Sequence, residues 1–268
     1  MADPPRPEVK IDPKAASTVQ VNHVDRQSPT PFGTGPVAAD PFKKPGREGL
    51  NSWVVALIIK PNLDAALAAI RAAGGIATSS GGIRDLSAGV DNTRSATSFH
   101  YTGRAIDLYM YSGMFDPTTD PYVVTGDPDV GTWRVFARTA DPNVTPSTLI
   151  AQQMVRIKTP VDKDGNPIAG KDFCKLKEVE VTDRFFDLTA VFLANSFKRI
   201  PAKPAFMDDP KARQYGAAEW WHFQDETGLV VGTTTYGSLL QQVRTAGELK
   251  NSSPFAAKDK IWNGQIFR

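Results

Sequence analysis

The sequence predicts an α+β fold, a small central antiparallel sheet with flanking helices. Three observations predict it: short apolar runs of strand length, few segments with helical period, and turn signals of the kind that join antiparallel strands. The longest apolar run, Trp53 to Ile59, is too short to cross a bilayer and makes 52 to 60 a buried strand. In 61 to 75, PNLDAALAAIRAAGG, Leu63, Leu67 and Ile70 share a helical face, Asn62 is the cap and glycine the stop. Residues 76 to 84 read as a second strand ending at Arg84, and Gly103 marks a turn before strand character resumes from Ala105 to Met110. TWRVFAR (132 to 138) and FCKLKEVEV (173 to 181) are strands of a β-rich inserted or peripheral section, with an Asp-Gly turn in KDGNP (163 to 167). Residues 182 to 200 carry a helical period with Thr182 as cap, and a loop leads to EWWHFQ (219 to 224), strand-like from Trp221 to Phe223.

Composition sets the limits on function. The 268 residues carry 31 Lys+Arg against 29 Asp+Glu, a net charge of +2 that leaves no electrostatic footprint for nucleic acid or an anionic membrane. A chain of this length buries enough surface to fold without disulfides, and its single Cys174 reads as a small buried hydrophobe. Nine of the 21 prolines fall between Pro4 and Pro45, so residues 1 to about 48 read as an extended or partly disordered leader or as a strap lying over the domain, with the compact domain at 49 to 268. His23, within that leader, reads as an exposed polar residue. The N-terminal residues lack the basic and apolar regions of a classical export signal, and the leader is a candidate docking segment for a delivery partner.

Chemistry concentrates where histidine does. Two of the three histidines lie in the densest polar-aromatic segments, His100 in SFHYTGRAID and His222 in EWWHF. With Asp107 they supply the three N/O ligands of a catalytic zinc ion, the fourth position being left to water. Gly103 between His100 and Asp107 lets the chain turn and bring the Asp back beside the His. Glu219 is then the general base. In an ideal strand residues 219 and 222 point to opposite faces, so that role requires an irregular backbone at Glu219 and Trp220. No H-E-x-x-H is present.

Ser98, His100, Gly103, Ala105 and Asp107 spell S-x-H-x-x-G-x-A-x-D, and Glu219, Trp221 and His222 spell E-x-W-H. The pattern resembles the zinc D-Ala-D-Ala carboxypeptidase and dipeptidase family, which includes vancomycin-resistance dipeptidases and phage L-alanyl-D-glutamate endolysins. The resemblance implies a hedgehog/DD-peptidase-like fold, one Zn2+ ion on His100, Asp107 and His222, and Glu219 as catalytic base. It also implies that Arg84, in TSSGGIR, stabilises the oxyanion or substrate carbonyl and that Ser98 helps to bind substrate, with Tyr101 beside it and Trp221 as pocket wall. Arg94 and Arg104 are weaker alternatives for anion binding, and Trp220 is core packing. From Asp107 to Glu219 is 219 − 107 = 112 positions, longer than compact members of the family, so about 113 to 181 reads as an insertion. The implied activity is hydrolysis of peptidoglycan stem peptides at a bond involving a D-amino acid, acting on the cell wall after non-classical delivery. A zinc-containing wall-binding or phage or secretion-system module without hydrolysis is the alternative.

Overall fold

Thirteen helical residues packed by one apolar stripe and a set of short strands make up the frame of this computed structural model. It describes residues 17–24, 52–88, 90, 95–109, 114–127, 132–157, 163–164, 173–230, 232–252 and 255. The strands in chain order are β1 (Thr18–Asn22), β2 (Ser52–Ala56), β3 (Ser79–Gly81), β4 (Ala105–Leu108), β5 (Tyr122–Asp127) and β6 (Thr132–Arg138). They continue as β7 (Ser147–Arg156), β8 (Phe173–Asp183), β9 (Phe185–Asp187), β10 (Phe197–Lys198), β11 (Arg213–Gln214) and β12 (His222–Asp225). The helices are α1 (Lys60–Ala72), α2 (Leu188–Ala194), α3 (Pro204–Met207), α4 (Tyr236–Val243) and α5 (Ala246–Asn251). The fold is therefore mixed α and β, with small sheets ordered β1-β2, β10-β12-β4-β3, β11-β8-β7 and β5-β6-β9 and antiparallel throughout. Among the described residues no helix is long and apolar enough to cross a membrane.

The helix expected over 61 to 75 is α1, burying Leu63, Ala66, Leu67 and Ile70, but its cap differs. Pro61 sits in the first turn, where its missing N–H costs nothing, and no side chain caps the end. Asn62 instead donates to Asp225 Oδ2 (2.7 Å) and Thr227 Oγ1 (3.0 Å), tying the helix to the end of β12 and the loop after it. The strand expected over 52 to 60 stops at Ala56, and Leu57–Ile59 form a 3-10 turn that leads into α1. The strand expected over 76 to 84 is confined to β3.

Two further expectations are corrected. The helix expected over 182 to 200 with a Thr182 cap is only α2: β8 runs through Asp183, and β9 pairs with β6 from Phe136↔Asp187 to Arg138↔Phe185. Cross-strand pairing overrides the local helical period there, and Asp187, whose side chain accepts from Ala190 N, is the true cap. The compact unit also begins well before Leu50. β1 pairs with β2 over Thr18↔Ala56 to Asn22↔Ser52, Val24 bridges Ala77, and Val21 and Val24 are buried in the main core. His23 between them is half-buried. The rest of the segment 1 to 48 lies outside the described residues, as do most of the turn at 163 to 167 and Met110.

Two outcomes follow from this packing. Val21→Ala and Val24→Ala should each lower stability by about 1–2 kcal/mol, at roughly 0.8 kcal/mol per buried methylene, read as a fall in the urea midpoint. Cys174 is buried in the core, and burial pushes its thiol up to about 12. It should therefore resist a thiol reagent at pH 8 in the native protein and react at once in denaturant.

Candidate metal centre

The site is built on the pairing of β12 with β4, which sets His222↔Asp107, Phe223↔Ile106 and Gln224↔Ala105 opposite one another. Directly opposed residues of an antiparallel pair share a face, so His222 and Asp107 project together, while Phe223 and Ile106 enter the core behind them. His100 reaches the same place from a 3-10 turn, Phe99–Thr102, that directly precedes β4. Ser98 caps this turn, its Oγ accepting from His100 N (3.4 Å). Gly103 closes it at φ 68, and a Cβ there would meet Ala56 N at 2.8 Å, so both conformation and space demand glycine.

The three donor atoms form a nearly equilateral triangle. His100 Nε2 lies 3.1 Å from His222 Nδ1 and 3.0 Å from Asp107 Oδ1, and His222 Nδ1 lies 3.2 Å from Asp107 Oδ1. A tetrahedral zinc ion with bonds of about 2.0–2.1 Å to each ligand requires donor separations of about 3.3 Å, so the triangle fits one face of that tetrahedron. Hydrogen bonds behind the donors agree with this use. His100 Nδ1 is 2.7 Å from Gly82 O, a pure acceptor, so Nδ1 carries the proton and Nε2 presents its lone pair. Burial disfavours charge on Asp107, yet its close contacts with His100 and His222 hold its carboxyl well below the usual carboxylate range. Both histidines are buried. His100, Asp107 and His222 are thus a possible metal-binding triad.

Glu219 stands beside the triangle, Oε2 lying 4.0 Å from His222 Nδ1. Its backbone has the irregularity that its position three residues before His222 requires: φ is 56, in the left-handed region, and β12 starts only at His222. Two cations that sequence reasoning missed hold it there. Arg199 donates from Nη1 to Trp220 O (2.8 Å) and from Nη2 to Glu219 O (2.9 Å), and its guanidinium lies over the Phe223 ring. Burial pulls Arg199 down to about 10, with Glu219 opposing the shift, which leaves it charged at neutral pH. Lys203 Nζ contacts Glu219 Oε1 at 2.5 Å. Neither residue belongs to a short motif, since both lie well before Glu219 in sequence, so no local signal marks them.

The other expected residues divide. Arg84 is next to the motif: its N donates to His100 O (2.9 Å), and its Nη1 donates to Ser98 Oγ (3.3 Å). Tyr101, expected at substrate, has no exposed surface; it packs on Phe255 with Arg84 over its ring, which makes it a support for Arg84. Trp221, expected as pocket wall, is buried in the main core as Trp220 is, and its carbonyl accepts from Leu108 N. Arg104, weighed as an anion binder, is buried and donates to Thr227 O (2.9 Å) and Gln242 Oε1 (3.3 Å), a structural tie. Arg94 lies outside the described residues.

Comparisons with models of protein families, with curated proteins and with solved structures find no match. The geometry itself yields one clean expectation. Glu219→Gly and Glu219→Ala both delete the carboxylate, but only Ala keeps a side chain at positive φ, so the Gly variant should be the more stable by roughly 1–2 kcal/mol in thermal or urea unfolding.

Proposed function

We propose that this chain is a zinc-dependent peptidase that hydrolyses peptidoglycan stem peptides at a bond involving a D-amino acid, on a hedgehog/DD-peptidase-like fold. The observation that carries the reading is the donor triangle of His100, Asp107 and His222 with the Glu219 carboxylate 4.0 Å from it. The peptide substrate class rests on the S-x-H-x-x-G-x-A-x-D and E-x-W-H resemblance. Zinc bound at such a site supplies Lewis-acid chemistry, lowering the pKa of a water toward ~7 and polarising a carbonyl.

The residues of the chain do the rest. His100, Asp107 and His222 would hold the ion. Glu219 uses Oε2 to take a proton from the attacking water as its oxygen bonds to the scissile carbonyl carbon. As the C–N bond breaks, the same oxygen returns that proton to the departing amine. Lys203 keeps Oε1 occupied, so one oxygen faces the reaction. Arg84, anchored on Ser98, brings positive charge to the substrate carbonyl oxygen, where negative charge develops. Stem peptides lie outside the cytoplasmic membrane, so the reading requires delivery to the cell wall.

The Lys203–Glu219 ion pair also favours a second reading, a zinc-containing wall-binding or phage or secretion-system module, because an ammonium already occupies one oxygen of the would-be base. Metal content and digestion of purified peptidoglycan separate the two. The wild type should hold one zinc and release new muropeptides, while Glu219→Ala should hold zinc and release them about 10²–10⁴ times more slowly. Zinc in both without fragments from either would give the site to the binding module, and a wild type without zinc would remove the metal reading.

A further inference from the structure

Behind His222 a polar chain continues to the edge of the sheet. Residues two apart on a strand share a face, so Gln224 stands beside His222 on β12, opposite the small Ala105. Gln224 Nε2 donates to Glu226 Oε1 (2.8 Å), and Glu226 Oε2 takes Lys198 Nζ (2.5 Å) from the neighbouring β10. His222 Nε2 lies 3.3 Å from Gln224 Oε1.

The order of donors fixes each proton. An ionised carboxylate only accepts, so the Glu226 end of the Gln224 amide must be its NH2, and the end facing His222 must be its oxygen. A carbonyl oxygen also only accepts, so His222 Nε2 must carry hydrogen. The neutral imidazole then presents Nδ1 as a lone pair, at the corner of the donor triangle. Without this constraint the opposite tautomer could donate from Nδ1 to Asp107 Oδ1, 3.2 Å away, and close the triangle on itself with no metal.

We infer that Gln224 and Glu226 are positioning residues that select the Nε2–H tautomer of His222 and thereby raise the affinity of the site for a divalent metal. This rests on the metal reading proposed above. Lys198 adds little, because its side chain is 61% exposed and the pair is screened. The constraint acts on a proton position rather than on packing, which separates it from a purely structural role.

The test uses the full chain with zinc as the probe. In a chelator competition, Gln224→Leu should weaken zinc by about 10–100-fold, the usual cost of losing a ligand's outer partner, with the unfolding midpoint of the metal-free protein unchanged. The isosteric Glu226→Gln, whose amide can turn either way, should weaken it in the same direction. Proton–nitrogen correlation spectra of the metal-free protein should show His222 as the Nε2–H tautomer in the wild type and a mixture in both variants. Unchanged zinc affinity in Gln224→Leu, or an unchanged His222 tautomer in both variants, would overturn the inference. If the wild type binds no zinc, the metal reading fails, while the spectra still decide whether Gln224 and Glu226 set the tautomer.

Discussion

The register between β4 and β12 is the constraint on which the rest of the site depends. A slip of one residue would bring Asp107 opposite Phe223 and turn each side chain of the slipped strand to the other face, scattering the donor triangle. The register is not left to the contacts among the donors alone. It is enforced behind them, where Phe223 and Ile106 are fully buried and the Phe223 ring packs on Phe192 at 4.3 Å between centroids. Backbone bonds from Leu108 N to Trp221 O and from Asp225 N to Arg104 O close the two ends of the pairing, and Trp53 Nε1 fastens Asp107 O. The hydrophobic face of a four-residue strand thus sets the geometry of its polar face.

Glu219 obtains its position in a different way, through strain that other groups hold in place. A left-handed glutamate is unfavourable by roughly 1–2 kcal/mol, and such outliers persist only where surrounding contacts over-determine them. Here one side chain supplies much of that determination. Arg199 lies over Phe223, the residue that anchors the register, and binds the carbonyls of Glu219 and Trp220. The anchor of the ligand strand and the clamp on the base are therefore mechanically linked. Displacing Phe223 would disturb both.

What could be read from the sequence was local, and what could not was long-range. His100, Gly103 and Asp107 fall within eight consecutive residues, and a turn followed by a strand is enough to bring them together. The need for an irregular backbone at Glu219 followed from strand periodicity alone, and φ 56 supplies it. β1 was hidden because proline-rich surroundings dominate its composition, whereas its existence depends on pairing with β2 from Thr18↔Ala56 to Asn22↔Ser52, far beyond any local window. The helical period over 182 to 200 was real but lost to β6, which takes Phe185–Asp187 as a strand. Asn62 looked like a cap because a cap is a local role, and its partners Asp225 and Thr227 are distant. Lys203 and Arg199 have the same explanation: nothing near them in sequence says which carboxylate or carbonyl they will meet.

The β-rich stretch between the two motifs is more than a peripheral addition in this geometry. Its long hairpin pairs β7 with β8 from Ser147↔Asp183 to Arg156↔Cys174, and the far side of β8 takes β11 at Arg213↔Cys174 and Gln214↔Phe173. β11 leads directly into the 3-10 turn Tyr215–Ala217 and then into Glu219. Lys203 N donates to Ala217 O (2.9 Å), so the residue that holds the Glu219 carboxylate is bonded to the same turn. Arg213 completes the connection, donating to Phe206 O of α3 at 2.7 Å while stacking on the Phe206 ring. The approach to the base is thus bracketed by the hairpin on one side and by α3 on the other. A strained residue needs such bracketing, because a free loop would relax the left-handed turn and move Oε2 away from the donors.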